Sequence, residues 1–313
     1  MATERRCIHP RNQLNELTGK EWIRFTKSWF VCDSRRYHRN RSTELHPARF
    51  PEEMVGDFVS FFTKPGEWVL DPFAGTGAAL VSCRELGRNA VGVELVPRYA
   101  DTARRRLGAD AAAAQTPLPF GPSPSEPTRQ DVICGDSTQL SSERLREQLC
   151  QCGVPGEDGA PWFDFIITSP PYWNMLQTSR GGVLSTHKQR AAKGLDTRYS
   201  HLPEDLGNTG SYELFIEKVG AVFDQCHALL RPGRYLVVIA QNVRAPDGCV
   251  KPLAWDLGRR ISETFTFYGE KIWCQDSKKL GIWGYPSVFV PNYHHHYCLI
   301  FHKEAAERDG KRP

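Results

Sequence analysis

The residues with the most pointed chemistry are Ser169, Pro170, Pro171 and Tyr172, in the run Thr168-Ser169-Pro170-Pro171-Tyr172. Two consecutive prolines fix the backbone and withhold two N–H donors. The neighbouring carbonyls are therefore held in a set direction, outside any sheet ladder. A carbonyl beside a hydroxyl can accept both hydrogens of an amino group. An exocyclic amine is a poor nucleophile because its lone pair is delocalised into its ring, and two such acceptors localise that pair towards a methyl donor. Tyr172 adds a face on which a flat ring can stack. The plainer alternative is a Pro-Pro turn carrying a packed tyrosine.

A second constellation lies upstream. The apolar run Trp68-Val69-Leu70 leads into Asp71-Pro72-Phe73-Ala74-Gly75-Thr76-Gly77. A strand ending in an acid, a small-residue loop and then a helix make a nucleotide-binding device. Gly75 and Gly77 let backbone N–H groups approach a ligand closely, and the following helix N-terminus favours a negative group. Leu80 stands where the last glycine of a GxGxxG fingerprint would be, which argues against a dinucleotide pyrophosphate. Glu94 closes the next strand, near the roughly 20-residue spacing at which an acid meets ribose hydroxyls. Asp136 ends a third strand and can accept from an adenine amino group. Any one of these acids could be a mere strand terminator, and the loop a turn without a ligand. Three acids at three successive strand ends are a more specific signal, because ligands bind beyond the carboxyl ends of such strands.

The elements that must position these residues follow from hydrophobic period and punctuation. Pro51 opens a helix with Met54, Val55, Phe58, Val59 and Phe62 on one face, ended by Lys64-Pro65-Gly66. A second helix runs from about Ala78 to Leu86 and stops at Gly87. Ala90–Val93 reads as a strand, and about 98–107 as a helix. Strand and helix alternating at short spacing argue for a parallel sheet. Residues 109–130, proline-rich among Ala, Ser and Gly, read as an irregular insertion. Strands follow at 131–134 and 163–167. Residues 173–210 are polar and too long for a plain connection. An amphipathic helix is expected over 212–230, stopped by Arg231-Pro232-Gly233, then a buried strand at 236–240. A helix near 253–264 precedes strands near 268–274 and 297–302, expected to pair antiparallel at one edge. Residues 1–45 read as an N-terminal extension that docks through Trp22, Phe25, Trp29 and Phe30. The main domain spans 46–303, with insertions at 109–130 and 173–210, and 304–313 form a polar tail.

The chain has 313 residues, 40% of them hydrophobic, enough to bury one large core. No apolar run reaches membrane-spanning length, and the first residues lack the apolar segment of a secretion signal. The ten cysteines include no CxxC pair, so structural metal is not expected. They read as reduced thiols, mostly small core residues, in a cytoplasm. His294-His295-His296 does not change this, because alternate residues of a strand face opposite ways. The net charge of +4 says little about a polyanionic partner. The runs Arg35, Arg36, His38, Arg39, Arg41 and Arg104–Arg106 say more, since either could neutralise phosphates or be a solvated surface.

On these motifs the chain resembles the amino-group DNA methyltransferases of bacteria, archaea and phages, the N4-cytosine and N6-adenine enzymes, over about 44–303. Asp71, Pro72, Phe73, Ala74, Gly75 and Gly77 resemble that family's S-adenosylmethionine loop. Glu94 resembles its ribose acid and Asp136 its adenine contact. His46-Pro47 with Phe50-Pro51 resembles its helix-opening motif beside the methionine moiety. Ser169, Pro170, Pro171 and Tyr172 resemble its catalytic motif.

The resemblance implies an α/β fold, the Rossmann-like class I methyltransferase, with a mostly parallel seven-stranded sheet and an antiparallel last strand. It also implies S-adenosylmethionine as cofactor, no metal, DNA as partner with a flipped target base, and a cognate restriction nuclease as a candidate partner. Serine before Pro-Pro-Tyr is commoner among the N4-cytosine enzymes, which makes N4-cytosine methylation the expectation and N6-adenine methylation the first alternative. An RNA base methyltransferase and a non-catalytic DNA-binding subunit are further alternatives. No Pro-Cys dipeptide is present to carry C5-cytosine chemistry. No long target-recognition stretch separates or follows the two motif groups, which leaves the place of base recognition unassigned.

Overall fold

The computed structural model describes residues 7–32, 50–113, 127–157, 160–173, 200, 202–245, 248–278, 280–282 and 284–305. Among them, eight strands form one sheet in the order β1-β11-β12-β8-β7-β2-β3-β4. In chain order these strands are β1 (Trp29–Val31), β2 (Trp68–Asp71), β3 (Asn89–Glu94), β4 (Gln130–Cys134), β7 (Phe163–Thr168), β8 (Leu230–Ala240), β11 (Thr266–Cys274) and β12 (His295–His302). Two-residue ribbons β5–β6 (Gly156–Glu157 with Ala160–Pro161) and β9–β10 (Val243–Arg244 with Val250–Lys251) lie apart from it. Strands β8, β7, β2, β3 and β4 are parallel, and β12 runs antiparallel between β8 and β11. This is the α/β sheet of the Rossmann-like methyltransferases. The order reverses at β2, where β7 lies on one side and β3 on the other, and a cleft opens at such a point.

Helices cover both faces, which is why the central strands read as unbroken apolar runs. In β8, Leu236, Val238 and Ala240 enter one core, and Val237 and Ile239 the other. The first core is closed by α5 (Glu143–Gln151), α6 (Tyr212–Leu229) and α7 (Leu253–Ile261). The second is closed by α2 (Glu52–Phe62), α3 (Ala78–Glu85) and α4 (Pro97–Ala113). All five apolar residues expected on one face of α2 are buried. The short α1 (Gly19–Phe25) starts with a Thr18–Glu21 capping box and lays its aromatics on α2. Phe25 stacks on Phe61 at 3.9 Å, and Trp22 meets the same ring at 4.8 Å. Among the described residues no helix is long and apolar enough to cross a membrane.

Several boundaries differ from the sequence-based expectations. Helix α4 runs on to Ala113, because the Ala-rich start of the supposed insertion has strong helix propensity; residues 114–126 lie outside the described residues. Arg231-Pro232-Gly233 does not follow a helix as a free turn. It bulges within β8, where the register against β7 shifts between Phe163 and Phe165. Gly233 takes φ +77° there and donates to Lys303 O at 2.7 Å. Strands β11 and β12 pair antiparallel but not at an edge, since β1 from the N-terminal stretch adds parallel to β11. Trp29 accordingly stays exposed, while Phe30 packs towards Phe58. Helix α5 carries no marked apolar period beyond Leu145 and Leu149, and the sequence reading passed over it. Only Cys83, Cys226 and Cys298 of the ten free cysteines are fully buried, so most are not core residues.

Candidate functional site

The carboxyl ends of β2, β3, β4 and β7 surround a cleft with about 880 Å³ of empty space. Asp71, Pro72, Phe73, Ala74, Gly75, Glu94, Asp136, Ser169, Pro170 and Pro171 all line it. Parallel strands deliver these residues to one edge because each motif sits at a strand's last residue or just beyond it. Gly77 stands behind the wall at φ +79°, capping α3, where an added Cβ would lie 2.9 Å from Ala103 Cβ. Its role in this structure is to let α3 and α4 approach, and it does not touch the cleft.

The acids are held rather than dangling. Glu94 Oε2 accepts the Gly75 N–H at 2.8 Å, and Oε1 accepts the Val96 N–H at 2.8 Å. The carboxylate therefore braces the glycine loop and keeps spare lone pairs for a ligand. Burial pushes its pKa up to about 7, against the opposing effect of those two N–H donors. Asp71 is fully enclosed. Its Oδ1 accepts from Thr168 Oγ1 at 2.6 Å and from Phe73 N at 3.1 Å, and burial raises its pKa to about 6. Asp136 caps a 3-10 turn over Ser137–Gln139, accepting from Thr138 N at 2.9 Å and Thr138 Oγ1 at 2.7 Å. Ser137 Oγ donates to Pro72 O and so ties the β4 end to the loop after β2.

Ser169, Pro170 and Pro171 form the rim of the cleft nearest β7. Tyr172 is not on that rim: its ring is 4% exposed and belongs to the core under α6. Burial pushes its pKa up to about 12, partly offset by a hydrogen bond with the Ser169 side chain. The next residue anchors the motif, with Trp173 Nε1 donating to Thr209 O at 2.9 Å and its ring edge-on to Tyr212.

Phe50, of the helix-opening motif, lines the cleft, and so do residues the sequence did not single out for the cofactor, among them Tyr99 and the stretch Glu204-Asp205-Leu206. Asp205 is buried; it accepts from Ser200 Oγ and from Gly207 N, each at 2.9 Å. The Asp-Leu-Gly run after a polar stretch is a capping signal for a short turn, but nothing in its spacing tied it to the acids of β2 and β3. The cleft thus has five carboxylates and, among its described lining residues, no lysine or arginine.

Other candidates fall elsewhere. His46 and the run Arg35–Arg41 lie outside the described residues. The second basic run is occupied with the protein itself. Arg106 bonds Thr76 O and pairs with Glu52, Arg104 reaches Asp101 and Val132 O, and Arg105 donates to Thr102 Oγ1. His296 is half-buried and stacked on Trp273 at 4.6 Å, while His295 faces Tyr297 Oη at 3.3 Å. Among the described residues no group of three or more His, Cys, Asp or Glu is placed to hold a metal ion.

The fold is a Rossmann-like α/β one, with the cleft at the carboxyl ends of its parallel strands. More particularly, residues 7–105 match a family model described as DNA methylase. The match takes in the glycine loop and Glu94, and ends before the Ser-Pro-Pro-Tyr motif. The Type II methyltransferase M.Cfr9I of Citrobacter freundii is 47% identical over 62 residues, 20% of this chain and 21% of that protein. M2.DpnII of Streptococcus pneumoniae, also a Type II methyltransferase, is 37% identical over 65 residues, 21% of this chain and 24% of its own. The chain thus matches between a fifth and a quarter of these relatives' length. Over this stretch the chain is similar to DNA methylases. Among solved structures, a methyltransferase from Pyrococcus furiosus superposes with a TM-score of 0.43 at 13% identity, covering 84% of this chain and 88% of its own. A SAM-dependent O-methyltransferase from Thermotoga maritima gives 0.44 at 10% identity, covering 85% and 70%.

Proposed function

We propose that this chain is a DNA methyltransferase that moves the methyl group of S-adenosylmethionine onto the N4 amino group of cytosine. The observation that carries the reading is the convergence of the Ser169-Pro170-Pro171 rim and the Glu94-braced glycine loop on one cleft. The DNA methylase match supports the substrate class, and serine before Pro-Pro-Tyr supports cytosine over adenine.

The cleft suits this cofactor on its own residues. S-adenosylmethionine carries a sulfonium and an ammonium group, and the five lining carboxylates oppose no cation of their own. Glu94 would take the ribose hydroxyls and Asp136 the adenine amino group. When bound, the cofactor supplies an electrophilic methyl group. The Pro170 carbonyl and Ser169 Oγ would accept the two hydrogens of the target amine and turn its lone pair towards the cleft. The target base would leave the duplex to reach this rim, and Tyr172 would supply the stacking ring once the base uncovers it. Catalysis would rest mainly on positioning.

The test is direct. Bacterial genomic DNA is incubated with the protein and S-adenosylmethionine, digested to nucleosides and weighed by mass spectrometry. N4-methylcytosine is the expected product. N6-methyladenine would move the assignment to the adenine enzymes, and no methylated nucleoside would overturn it.

A further inference from the structure

Between β11 and β12 the chain leaves the sheet as a finger over residues 275–294. Its limbs are tied at three levels: Gln275 N donates to His294 O at 2.7 Å, Lys278 Nζ to Tyr293 O at 2.7 Å, and Asn292 bonds both Gly281 N and Gly281 O at 2.9 and 3.0 Å. The tip closes in a turn in which Ser287 N and Val288 N both donate to Gly284 O. Gly284 takes φ +74°, and an added Cβ would meet Val288 O, so the turn requires glycine. Among its described residues the finger presents apolar side chains to solvent: Leu280 is 78% exposed, Ile282 86%, Tyr285 83%, Val288 62% and Phe289 89%. Apolar side chains this exposed and this clustered mark an interaction site.

Position and charge say what meets it. β12 starts opposite the last residues of β8, with Tyr297 beside Ala240, so the finger rises from the same sheet edge as the cleft. Its root lies two strands from the Ser-Pro-Pro-Tyr motif, since Thr168 of β7 pairs with Val238 of β8 and Val238 with Leu299 of β12. From Ser277 to Lys303 the sequence contains no Asp or Glu, yet it has three lysines and four histidines. The finger carries one acid, Asp276 at its root, against Lys278 and Lys279, so a polyanion laid across this edge would meet little repulsion from it, in contrast to the acidic floor of the cleft.

We propose that this finger is the DNA-penetrating element: its apolar tip enters the duplex beside the target and holds open the space the departing base leaves. The proposal rests on the DNA methyltransferase reading. Apolar wedges entering between base steps unstack and kink a duplex at a cost of a few kcal/mol per step, and the Gly284–Val288 turn holds the tip's described residues in place.

The experiment compares the full chain with the variant Ile282→Ser/Val288→Ser/Phe289→Ser. A fluorescein-labelled 30-base-pair duplex is titrated by anisotropy, either intact or with one central abasic site, where insertion meets no stacked base. The wild type is expected to bind the abasic duplex at least tenfold more tightly, and the variant to lose that preference while keeping its thermal midpoint and S-adenosylmethionine affinity by calorimetry. The preference persisting in the variant, or missing in the wild type, would overturn the proposal. So would a wild-type dimer in sedimentation that the variant abolishes, which would make the finger a contact between copies. Failure of the wild type to bind S-adenosylmethionine would instead count against the methyltransferase reading itself.

Discussion

Thr168 Oγ1 donates to Asp71 Oδ1 at 2.6 Å, joining residues 97 positions apart in sequence. Thr168 ends β7 immediately before Ser169, and Asp71 ends β2 immediately before the glycine loop. One hydrogen bond thus sets the spacing between the motif that would hold the target amine and the loop that would hold the methyl donor. Thr168→Val keeps the shape and removes the donor, leaving a buried carboxylate with the Phe73 N–H. The expected cost is about 1–3 kcal/mol of stability, read as a lower urea midpoint at unchanged slope, with weaker S-adenosylmethionine binding alongside. An unchanged midpoint would show that the bond contributes nothing.

Folding and ligand binding make opposite demands on the pH around the two buried acids. Asp71 stands at about 6 and Glu94 at about 7, both raised chiefly by burial above ordinary values of 3.8 and 4.5. The folded chain therefore keeps these protons to higher pH than the unfolded chain does. Their contribution to stability is full below the unfolded values and is lost as pH rises through 6 and then 7. Ligand binding runs the other way, because ribose hydroxyls donate to an ionised Glu94. S-adenosylmethionine affinity should rise between pH 6 and 8, by at most about tenfold per pH unit for one proton. Calorimetry at pH 6.5 in two buffers of different ionisation enthalpy should show proton release on binding; proton uptake would mean that Glu94 binds in its neutral form.

Gly92 in β3 is a steric requirement of the glycine loop. A Cβ there would lie 2.6 Å from Ala74 Cβ and 2.9 Å from Leu80 Cδ1, both fixed by the loop and α3. Gly92→Ala should cost about 1–3 kcal/mol by overpacking and push the loop off Glu94. Gly75 takes φ +53°, so Gly75→Val strains the loop backbone as well as entering the ligand space, and should abolish cofactor binding while lowering stability by about 1–2 kcal/mol. If Gly92→Ala leaves the thermal midpoint intact, the strand and loop are looser than the contacts indicate.

Much of this site could be read from the sequence because strand ends are punctuated. Asp71, Glu94 and Asp136 each follow an apolar run, and parallel strands carry such residues to one edge whatever the loops do. The parts that could not be read depend on long-range packing. Asp205 reaches the cleft only because Trp173 and Thr209 tie its segment back to the motif. The strand at Trp29–Val31 exists only because β11 offers an edge. The apolar run 280–289 has the composition of a buried segment, and only the fold shows Leu280, Ile282, Tyr285, Val288 and Phe289 standing in solvent.

Tyr172 is where composition and structure pull apart, and it gives the sharpest test of the catalytic reading. Its ring is 4% exposed, so it both packs the core and is the stacking ring proposed for the base. Tyr172→Ala should therefore lose stability, about 3–5 kcal/mol as for other large aromatic truncations, and stacking on the order of 1–3 kcal/mol per base. Tyr172→Phe keeps ring and packing and removes only the phenol bonded to Ser169. It should retain the fold and most of the turnover. Ser169→Ala should fall between them, since one acceptor of the amine is lost and the Pro170 carbonyl remains. Cofactor affinity should change little in Tyr172→Phe and Ser169→Ala, because neither touches the glycine loop. Single-turnover methyl transfer at saturating S-adenosylmethionine, measured beside thermal midpoints, gives the order. If Tyr172→Phe proves as inactive as Tyr172→Ala while staying folded, the phenol acts directly through Ser169, and the positioning account of the amine must be replaced by one in which that hydroxyl pair moves a proton.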